Sequence, residues 1–392
     1  MRIVVLGAGL VGGPMAADLA ADDRFEVTAA DVSEAALARL RPRPRIATLR
    51  RDLSDPQAVR ELATDFDLVI SCVPGSMGFA TLEAVIRAGR DVVDIAFFPE
   101  DPFALSELAR RQGVTAVVDC GVAPGMSHLL AGHADRLLDE TETVLIYVGG
   151  LPQERKWPFE YKAGFSPTDV IEEYLRPARY VENGNLVVRP ALSDPEIVHF
   201  PGVGSLEAFN TDGLRTLLAT LDVPNMKEKT LRYPGHIEHM AVLRAAGFFD
   251  REEIEVRGAP VRPLDVTAHL LGRSWKLEEG DVDLTLMRVI VEGKRAGRQL
   301  RYTWELFDRY DERTGVHSMA RTTGYTATVV ARLLAEGLVR ERGVIAPEHI
   351  GRDEACVEYV LRGLAERGVL YEESVEEPDG REGPREPASL SA

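Results

Sequence analysis

Residues 3–12 read Ile-Val-Val-Leu-Gly-Ala-Gly-Leu-Val-Gly, so four apolar residues are followed by glycines at positions 7, 9 and 12. A short apolar run that stops at a glycine is typical of a strand buried on both faces. The next apolar stretch, 15–21, is rich in alanine and has helical spacing. The sequence therefore predicts a strand, a tight turn and a helix, which together form the first unit of an α/β fold.

The same alternation continues to about residue 120. Further apolar runs lie at 27–30, 46–49, 68–73, 92–95 and 114–118, with helical stretches between them. Apolar strands that alternate with helices indicate a doubly wound parallel sheet. We therefore expect a dinucleotide-binding Rossmann domain over residues 1–125.

The pattern changes after about residue 125. The segments 281–291 and 299–310 alternate in polarity and flank a short stretch with two glycines, which predicts a hairpin. We expect an inserted α+β domain of mostly antiparallel sheet over 126–318, for substrate and oligomer contacts. Helices over 319–370 should return to the first domain. The acidic, proline-containing tail 371–392 should be disordered.

Composition narrows the class of partner. The chain has 392 residues and a net charge of −17, which argues against a nucleic-acid partner. It has no apolar run of the roughly 18 residues that a membrane span needs. Its three widely spaced cysteines form neither a disulfide framework nor a zinc pattern, so we expect a cytoplasmic protein without a metal site.

The glycine-rich turn predicts a dinucleotide site. Gly7 permits the turn, Gly9 lets the backbone approach a pyrophosphate, and Gly12 allows close packing of helix and strand. Asp31, nineteen residues after Gly12 at the end of the second strand, suits the ribose hydroxyls and repels a 2′-phosphate, which favours NAD. The predicted cofactor-binding residues are Gly7, Gly9, Leu10, Val11, Gly12, Asp31, Asp52, Cys72 and Val73.

Two points in this site stay open. The arginines at 41, 43 and 45 leave NADP as an alternative to NAD. Asp52 either reaches the adenine edge or caps the next helix together with Ser54. Cys72 and Val73 end the fourth strand and are expected to form a wall beside the nicotinamide.

Several longer segments are more distinctive than the glycine motif. Asp-Cys-Gly-Val-Ala-Pro-Gly-Met-Ser-His spans 119–128, and Leu-Arg-Tyr-Pro-Gly-His spans 231–236; 93–101, 148–152, 211–214 and 320–325 are equally characteristic. Together they resemble the saccharopine dehydrogenase-like superfamily, and 147–236 looks most like its lysine 6-dehydrogenase branch. The resemblance implies homo-oligomers, such as a dimer or tetramer. It also implies NAD-dependent oxidation of the ε-amine of L-lysine to allysine, which cyclises to piperideine-6-carboxylate.

One departure affects the substrate. Saccharopine-forming relatives usually carry an acid where Ala123 stands before Pro124 and Gly125. Its absence argues against saccharopine as substrate. The alternatives are a saccharopine or carboxylated-polyamine dehydrogenase of the same superfamily and, from another class, a non-catalytic dinucleotide-binding sensor.

Oxidation of an amine needs a proton acceptor, and histidine titrates in the right range. His236, which follows a Pro-Gly turn, and His128, in the helix after the sixth strand, are the candidates; both have a solvent-exposed alternative. Asp94 and Asp119 end parallel strands and are expected to face the cleft, Asp94 as a catalytic group and Asp119 as a substrate contact, or to cap loops. The predicted catalytic residues are His236, His128 and Asp94.

The remaining candidates are expected to bind substrate. Arg232 suits a carboxylate because of its planar guanidinium, although a structural salt bridge is the alternative. Tyr233 follows it. Thr211 and Asp212 suit the α-amine, with a helix N-cap as the alternative.

Overall fold

The computed structural model describes residues 1–278 and 280–377. Its strands are β1 (Arg2–Leu6), β2 (Glu26–Asp31), β3 (Ile46–Arg50), β4 (Leu68–Ser71), β5 (Asp91–Asp94), β6 (Thr115–Val117), β7 (Glu140–Pro152), β8 (Ala178–Glu182), β9 (Asn185–Arg189), β10 (Glu196–Phe200), β11 (Gly204–Asn210), β12 (Asn225–Arg232), β13 (Ile254–Val256), β14 (Ala259–Val261), β15 (Asp283–Arg295), β16 (Arg298–Arg309), β17 (Gly343–Ile345) and β18 (Tyr371–Glu376).

The helices alternate with the first strands and later cover the second sheet. They are α1 (Gly12–Ala20), α2 (Glu34–Leu40), α3 (Pro56–Ala63), α4 (Gly75–Arg87), α5 (Ser106–Gln112), α6 (Met126–Leu137), α7 (Pro167–Leu175), α8 (Leu217–Thr220), α9 (His236–Ala245), α10 (Pro263–Trp275), α11 (Ser318–Ala335), α12 (Pro347–Gly351) and α13 (Glu354–Glu366). In the described residues, no helix is both long and apolar enough to cross a membrane.

The first sheet is parallel, in the order β17-β6-β5-β4-β1-β2-β3. Alternate residues of β1 enter different cores: Ile3 and Val5 pack on one side of the sheet, and Val4 and Leu6 on the other. A strand buried on both faces needs the continuous apolar run seen in the sequence. The predicted doubly wound parallel sheet is confirmed.

The second sheet has the order β10-β11-β12-β7-β15-β16-β18, and the β8–β9 hairpin joins it at β12. Its pairs are antiparallel except β7 with β12. The β15–β16 hairpin turns at Ala296 and Gly297, both with positive φ, as a tight two-residue turn requires. The predicted antiparallel α+β domain is confirmed.

The chain returns to the first domain through α11. The segment after it contributes more than the helices expected over 319–370, because Gly343–Ile345 adds strand β17 beside β6. Only three residues form this strand, and no alternation is visible in so short a run.

The predicted disorder of the tail is wrong for its first residues. Tyr371–Glu376 forms β18, which pairs antiparallel with β16. Glu373 also accepts a hydrogen bond at 3.2 Å from the indole of Trp304, a side chain that is 1% exposed. Backbone pairing, this contact and the packing of Tyr371 against the core hold a strand whose acidic side chains face solvent. Residues 378–392 lie outside the described part of the chain.

Removing β18 should destabilise the protein. A chain that ends at Leu370 loses the β16–β18 hydrogen bonds, each worth about 1 kcal/mol, and uncovers Trp304. A chain that ends at Glu377 keeps them. We expect the melting temperature of the first truncation to fall by several degrees and that of the second to match the full chain; equal melting temperatures would contradict a stabilising role of β18.

Candidate active site

A cleft of about 460 Å³ lies between the carboxyl ends of the first sheet and the second sheet. Carboxyl ends of parallel strands are where α/β proteins bind ligands. The first-domain lining comprises 9–11, 72–74, 95–97 and 121–124, and the second-domain lining comprises 148–151, 161, 162, 164–167, 169, 172, 173, 176, 211–213, 228, 230, 232, 283, 319 and 323.

The glycine-rich loop has the shape that a dinucleotide needs. Gly7 has φ +98°, and a Cβ on it would lie 2.6 Å from the carbonyl oxygen of Cys72. A Cβ on Gly12 would lie 2.0 Å from the carbonyl oxygen of Gly7. Gly9 lines the cleft, and a Cβ there would meet nothing within 4 Å. The absence of side chains at Gly7 and Gly12 therefore permits close packing of the loop against Cys72, directly after β4, and of α1 against the loop. At Gly9 the backbone is accessible to a phosphate group.

Asp31 is held beside this loop. Its carboxylate accepts hydrogen bonds at 2.7 Å from the backbone N–H groups of Ala8 and Ser33. A carboxylate has lone pairs beyond these two bonds, so a half-buried Asp31 fits the ribose hydroxyls of a dinucleotide. Leu10, Val11, Cys72 and Val73 line the cleft near the loop.

Asp52 does not line the cleft. It is exposed and accepts hydrogen bonds from Ser54, at 2.9 Å from the backbone nitrogen and 2.7 Å from the hydroxyl. The structure thus shows the local Ser54 contact, and the expectation of an adenine contact finds no support. Arg41 and Arg45 are each ion-paired with a first-domain carboxylate.

Asp94 and Asp119 lie behind the cleft lining rather than in it. Asp94 is fully buried at the end of β5, beside the hydroxyl of Ser71 and the backbone of Ala96, and it forms no ion pair among the described residues. Burial raises the pKa of Asp94 to about 7. Asp119 is ion-paired at 2.9 Å with buried Arg215. Neither carboxylate belongs to the cleft lining, so the expectation that they contact substrate finds no support.

His128 faces neither solvent nor the cleft. It is buried in α6, with Nε2 at 3.0 Å from the carbonyl oxygen of Leu214 and Nδ1 at 2.9 Å from the Ser127 hydroxyl. Because a carbonyl only accepts, Nε2 carries the proton and Nδ1 accepts from Ser127. Burial lowers the pKa of His128. Its contacts are those of a structural residue, not of the predicted proton acceptor.

His236 is also buried, at the first residue of α9 rather than in an exposed turn. Its Nδ1 lies 2.8 Å from the carbonyl oxygen of Phe159 and therefore donates, so Nε2 accepts from the hydroxyl of Tyr174 at 2.9 Å. Burial, with the nearby Arg232 charge, lowers its pKa to about 3. A neutral histidine with both nitrogens bonded does not suit the predicted role of proton acceptor.

Arg232 lines the cleft, but its guanidinium is already engaged. Nη2 pairs with Glu173 at 2.6 Å, Nε donates to the Tyr174 hydroxyl at 3.2 Å, and Nη1 donates to the carbonyl oxygen of Leu231. The face of the guanidinium lies 4.5 Å from the ring centroid of Tyr161. The structure shows the salt bridge that was the alternative to a carboxylate-binding role.

Of the other predicted substrate contacts, two line the cleft and one does not. Tyr233 donates from its hydroxyl to the carbonyl oxygen of Pro152 and lies outside the cleft lining, so it is a structural residue. Thr211 and Asp212 line the cleft. Asp212 accepts both forks of Arg179, at 2.8 and 2.9 Å, and Thr211 donates to Glu228.

Sequence reasoning missed most of the charged residues that the fold places in the cleft, among them Arg176, Asp169 and Glu228. Arg176 follows α7, has an Nη1 with no hydrogen-bond partner among the described residues, and lies 4.5 Å from the Phe97 ring centroid. Asp169 of α7 accepts from the backbone N–H of Gly75 at 3.4 Å. Glu228 lies within β12. The amphipathic pattern of 167–175 would have revealed α7, but not that it faces the cleft.

The cleft is acidic overall. Its cations are Lys162, Arg176 and Arg232, and its acids are Asp169, Glu172, Glu173, Asp212, Glu228 and Asp283. An acid-rich, partly buried cavity favours a substrate with positive charge. In the part of the chain that the structure describes, no group of three or more histidine, cysteine or acidic side chains is placed to hold a metal ion.

Comparison with known proteins agrees with this fold. Over 95% of the chain, it is 24% identical to a saccharopine dehydrogenase [NADP(+), L-glutamate-forming] of Schizosaccharomyces pombe, covering 98% of that protein. It is 23% identical over 96% of the chain to a carboxyaminopropylagmatine dehydrogenase of Synechocystis, covering 98% of that protein. Another relative is the mouse mitochondrial alpha-aminoadipic semialdehyde synthase, 26% identical over 67% of the chain; the match spans 30% of that protein.

A solved structure shares the architecture. The apo saccharopine dehydrogenase (L-Glu forming) of Saccharomyces cerevisiae superposes with a TM-score of 0.77 over 96% of this chain and 99% of that one, at 20% identity. Residues 3–117 match the family model described as saccharopine dehydrogenase NADP binding domain, and residues 121–369 match the saccharopine dehydrogenase C-terminal domain. The chain therefore belongs to the saccharopine dehydrogenase family of oxidoreductases.

Proposed function

We propose that the protein oxidises the ε-amine of L-lysine with NAD, giving allysine, which cyclises to piperideine-6-carboxylate. The observation that carries the proposal is the charge of the cleft: many acids, with one guanidinium nitrogen, Arg176 Nη1, left without a partner among the described residues. Lysine has two ammonium groups and one carboxylate, and so carries a net positive charge. Saccharopine has three carboxylates and suits this cleft less well.

Arg176 is the residue that we assign to the substrate carboxylate. Its side chain is 14% exposed, and Glu172 approaches it only to 4.0 Å, a weak ion pair. Burial lowers the pKa of Arg176, so a carboxylate ligand would restore the charge compensation that the protein does not supply. A guanidinium binds a carboxylate through two parallel hydrogen bonds.

The fold orients this reaction. An oxidised nicotinamide bound at the glycine-rich loop supplies the hydride acceptor. On the first-domain side, the described lining of the cleft carries no charged side chain. It includes Cys72, Val73, Val122 and Ala123. Arg176 holds the carboxylate end of the substrate, so the opposite, amine-bearing end extends along the acid-lined side.

A carboxylated polyamine is the second candidate. Such a molecule also combines one carboxylate with several cationic nitrogens, and the Synechocystis relative is named for a substrate of this class. A non-catalytic sensor is the weaker candidate, because the acidic side chains of the cleft would have no purpose in a protein that binds only a dinucleotide.

A substrate panel decides between these functions. NADH formation at 340 nm should be seen with L-lysine and NAD. Saccharopine and carboxyaminopropylagmatine should give much lower kcat/KM. If either of these is oxidised while L-lysine is not, the lysine assignment is wrong and the alternative holds.

NAD should be preferred over NADP because of Asp31. The family model is described by NADP binding, whereas a carboxylate beside the glycine-rich loop repels a 2′-phosphate. Asp31→Ala should weaken the binding of NAD roughly 10- to 100-fold, because a charged hydrogen-bond acceptor contributes about 1.5–3 kcal/mol. It should also reduce the preference for NAD over NADP. Asp65→Ala, at an exposed first-domain position, is the control. A wild-type protein that uses NADP better than NAD would contradict this assignment.

Arg176 should matter for carboxylated substrates alone. Arg176→Gln should lower kcat/KM for L-lysine by roughly 30- to 1000-fold, because a charge-assisted pair is worth on the order of 2–4 kcal/mol. Cadaverine, which has no carboxylate, should be oxidised at nearly the wild-type rate. Arg189→Gln, an exposed arginine of β9, serves as the matched control.

Arg232→Gln gives the contrasting result. It leaves Glu173 buried without its cation, so we expect a lower melting temperature and a similar loss for L-lysine and cadaverine. If Arg232→Gln selectively impairs L-lysine and Arg176→Gln does not, Arg232 is the carboxylate-binding residue.

A further inference from the structure

Within residues 1–278 and 280–377, Glu228 makes no ion pair, unlike its neighbours Asp212 and Glu173. It lies in β12, is 4% exposed and lines the cleft. Asp212 is paired with Arg179 through both oxygens, and Glu173 is paired with Arg232 at 2.6 Å. None of the ion pairs among the described residues includes Glu228, although burial of a carboxylate without a cation is costly.

The local structure is shaped to admit this carboxyl group. Gly213 lies against it, and a Cβ at that position would be 2.4 Å from Oε2 of Glu228. Thr211 donates its hydroxyl to the same oxygen, and the hydroxyl of Thr230 lies 2.8 Å from that of Thr211. The hydroxyl of Thr211, itself bonded to Thr230, thus holds one carboxyl group at the surface of the cleft, and Gly213 leaves room for it.

Asp169 is the other cleft acid without a close cation, but it has a different partner. It accepts the backbone N–H of Gly75 at the start of α4 and so links the second domain to the first. Asp283 accepts from the first backbone N–H groups of α11. Glu228 accepts from the hydroxyl of Thr211 and from the backbone N–H of Gly213, and no ion pair among the described residues holds it in its charged form.

We propose that Glu228 is a catalytic residue that accepts the proton from the reacting ammonium of the substrate. The inference rests on the proposed amine oxidation. In the first step a proton moves from R–CH2–NH3+ to the Glu228 carboxylate, leaving a neutral amine. The nitrogen lone pair then forms the C=N bond as the carbon loses hydride to the oxidised nicotinamide dinucleotide.

Water completes the balance. It adds to the iminium ion, and the aldehyde and an ammonium ion are released. The proton held by Glu228 returns to solvent, so one amine, one dinucleotide and one water give the aldehyde, ammonium, the reduced dinucleotide and one proton. His236 is not available for this transfer, because both of its ring nitrogens are bonded inside the second domain.

The environment of Glu228 determines the pH at which its carboxyl group gains or loses a proton. Burial, together with the nearby charges of Glu173 and Asp212, raises its pKa to about 8, and the hydroxyl of Thr211 opposes the shift. Arg179 from β8 and Arg232 from β12 are ion-paired with the neighbouring acids Asp212 and Glu173 and not with Glu228. The carboxylate form is needed, so kcat/KM should fall as the pH drops through 8.

The substrate adds a second titration. A lysine ε-ammonium has a pKa of about 10.4, and an enzyme that takes the proton itself binds the ammonium form. The plot of kcat/KM against pH should therefore be bell-shaped, rising near pH 8 and falling near pH 10. Without a proton acceptor, only the neutral amine reacts, and kcat/KM should rise steadily to about pH 10.

The test compares Glu228→Gln and Glu228→Asp with wild type, using L-lysine and NAD. Glu228→Gln should lower kcat at pH 8 by roughly 100- to 10,000-fold. Its plot of kcat/KM against pH should rise steadily to about pH 10 and not be bell-shaped. Glu228→Asp keeps a carboxyl group and should retain the bell with a smaller kcat. Dinucleotide affinity, measured by calorimetry, should be unchanged in both. Glu182→Gln, at an exposed glutamate of β8, is the matched control.

Each result separates the two proposals. If wild type oxidises L-lysine and Glu228→Gln keeps its kcat and its bell, Glu228 is not the proton acceptor, while the function stands. The wild-type profile alone overturns the inference if it shows no bell, even where Glu228→Gln fails to fold. If L-lysine is inert but another amine of the panel reacts, the same comparison is made with that amine. If no amine reacts, both proposals are wrong.

Discussion

Helix α11 is hydrogen-bonded to the second sheet at one end and to α1 of the first domain at the other, and the geometry of the cleft depends on this. At its first turn the backbone N–H of Ser318 donates to Asp283 at 2.7 Å and its hydroxyl donates to Asp308 at 2.7 Å. Near its other end Arg332 pairs with Asp18 of α1 at 2.8 Å. A helix that is buried on nearly all sides and bonded at both ends holds the second sheet at a fixed position over the carboxyl ends of the first.

That placement creates an uneven charge distribution. The first domain brings backbone, glycine and apolar side chains to the cleft, as a dinucleotide site needs, and the second brings the ionisable groups. Most of the buried acids are neutralised by an arginine or by backbone N–H groups, since an uncompensated buried charge is costly. Among the described residues of the cleft, Glu228 makes no ion pair and Nη1 of Arg176 has no hydrogen-bond partner. An amino acid with an amine at one end and a carboxylate at the other supplies what each of them lacks.

The sequence predicted the parts of this structure that depend on local patterns. The glycine-rich loop, the parallel strands, the β15–β16 hairpin and the family were accessible because each is recognisable from neighbouring residues. The roles of His236 and Arg232 were not, because their partners Tyr174 and Glu173 lie about sixty residues away in the chain. Arg176 and Glu228 belong to no motif, and they share one cavity because α7 and β12, which are joined by the Glu173–Arg232 ion pair, both contribute to its lining. The strand β18 was missed since its pairing partner, not its own composition, holds it.

The origin of the transferred hydride tests the account most directly. L-Lysine that carries deuterium at both C6 positions should give reduced dinucleotide with one deuterium at C4, detected by mass spectrometry or NMR. L-Lysine deuterated at C2 should give unlabelled product. Label from C2 in place of C6 would show that the α-amine is oxidised, and would contradict both the orientation set by Arg176 and the oxidation of the ε-amine.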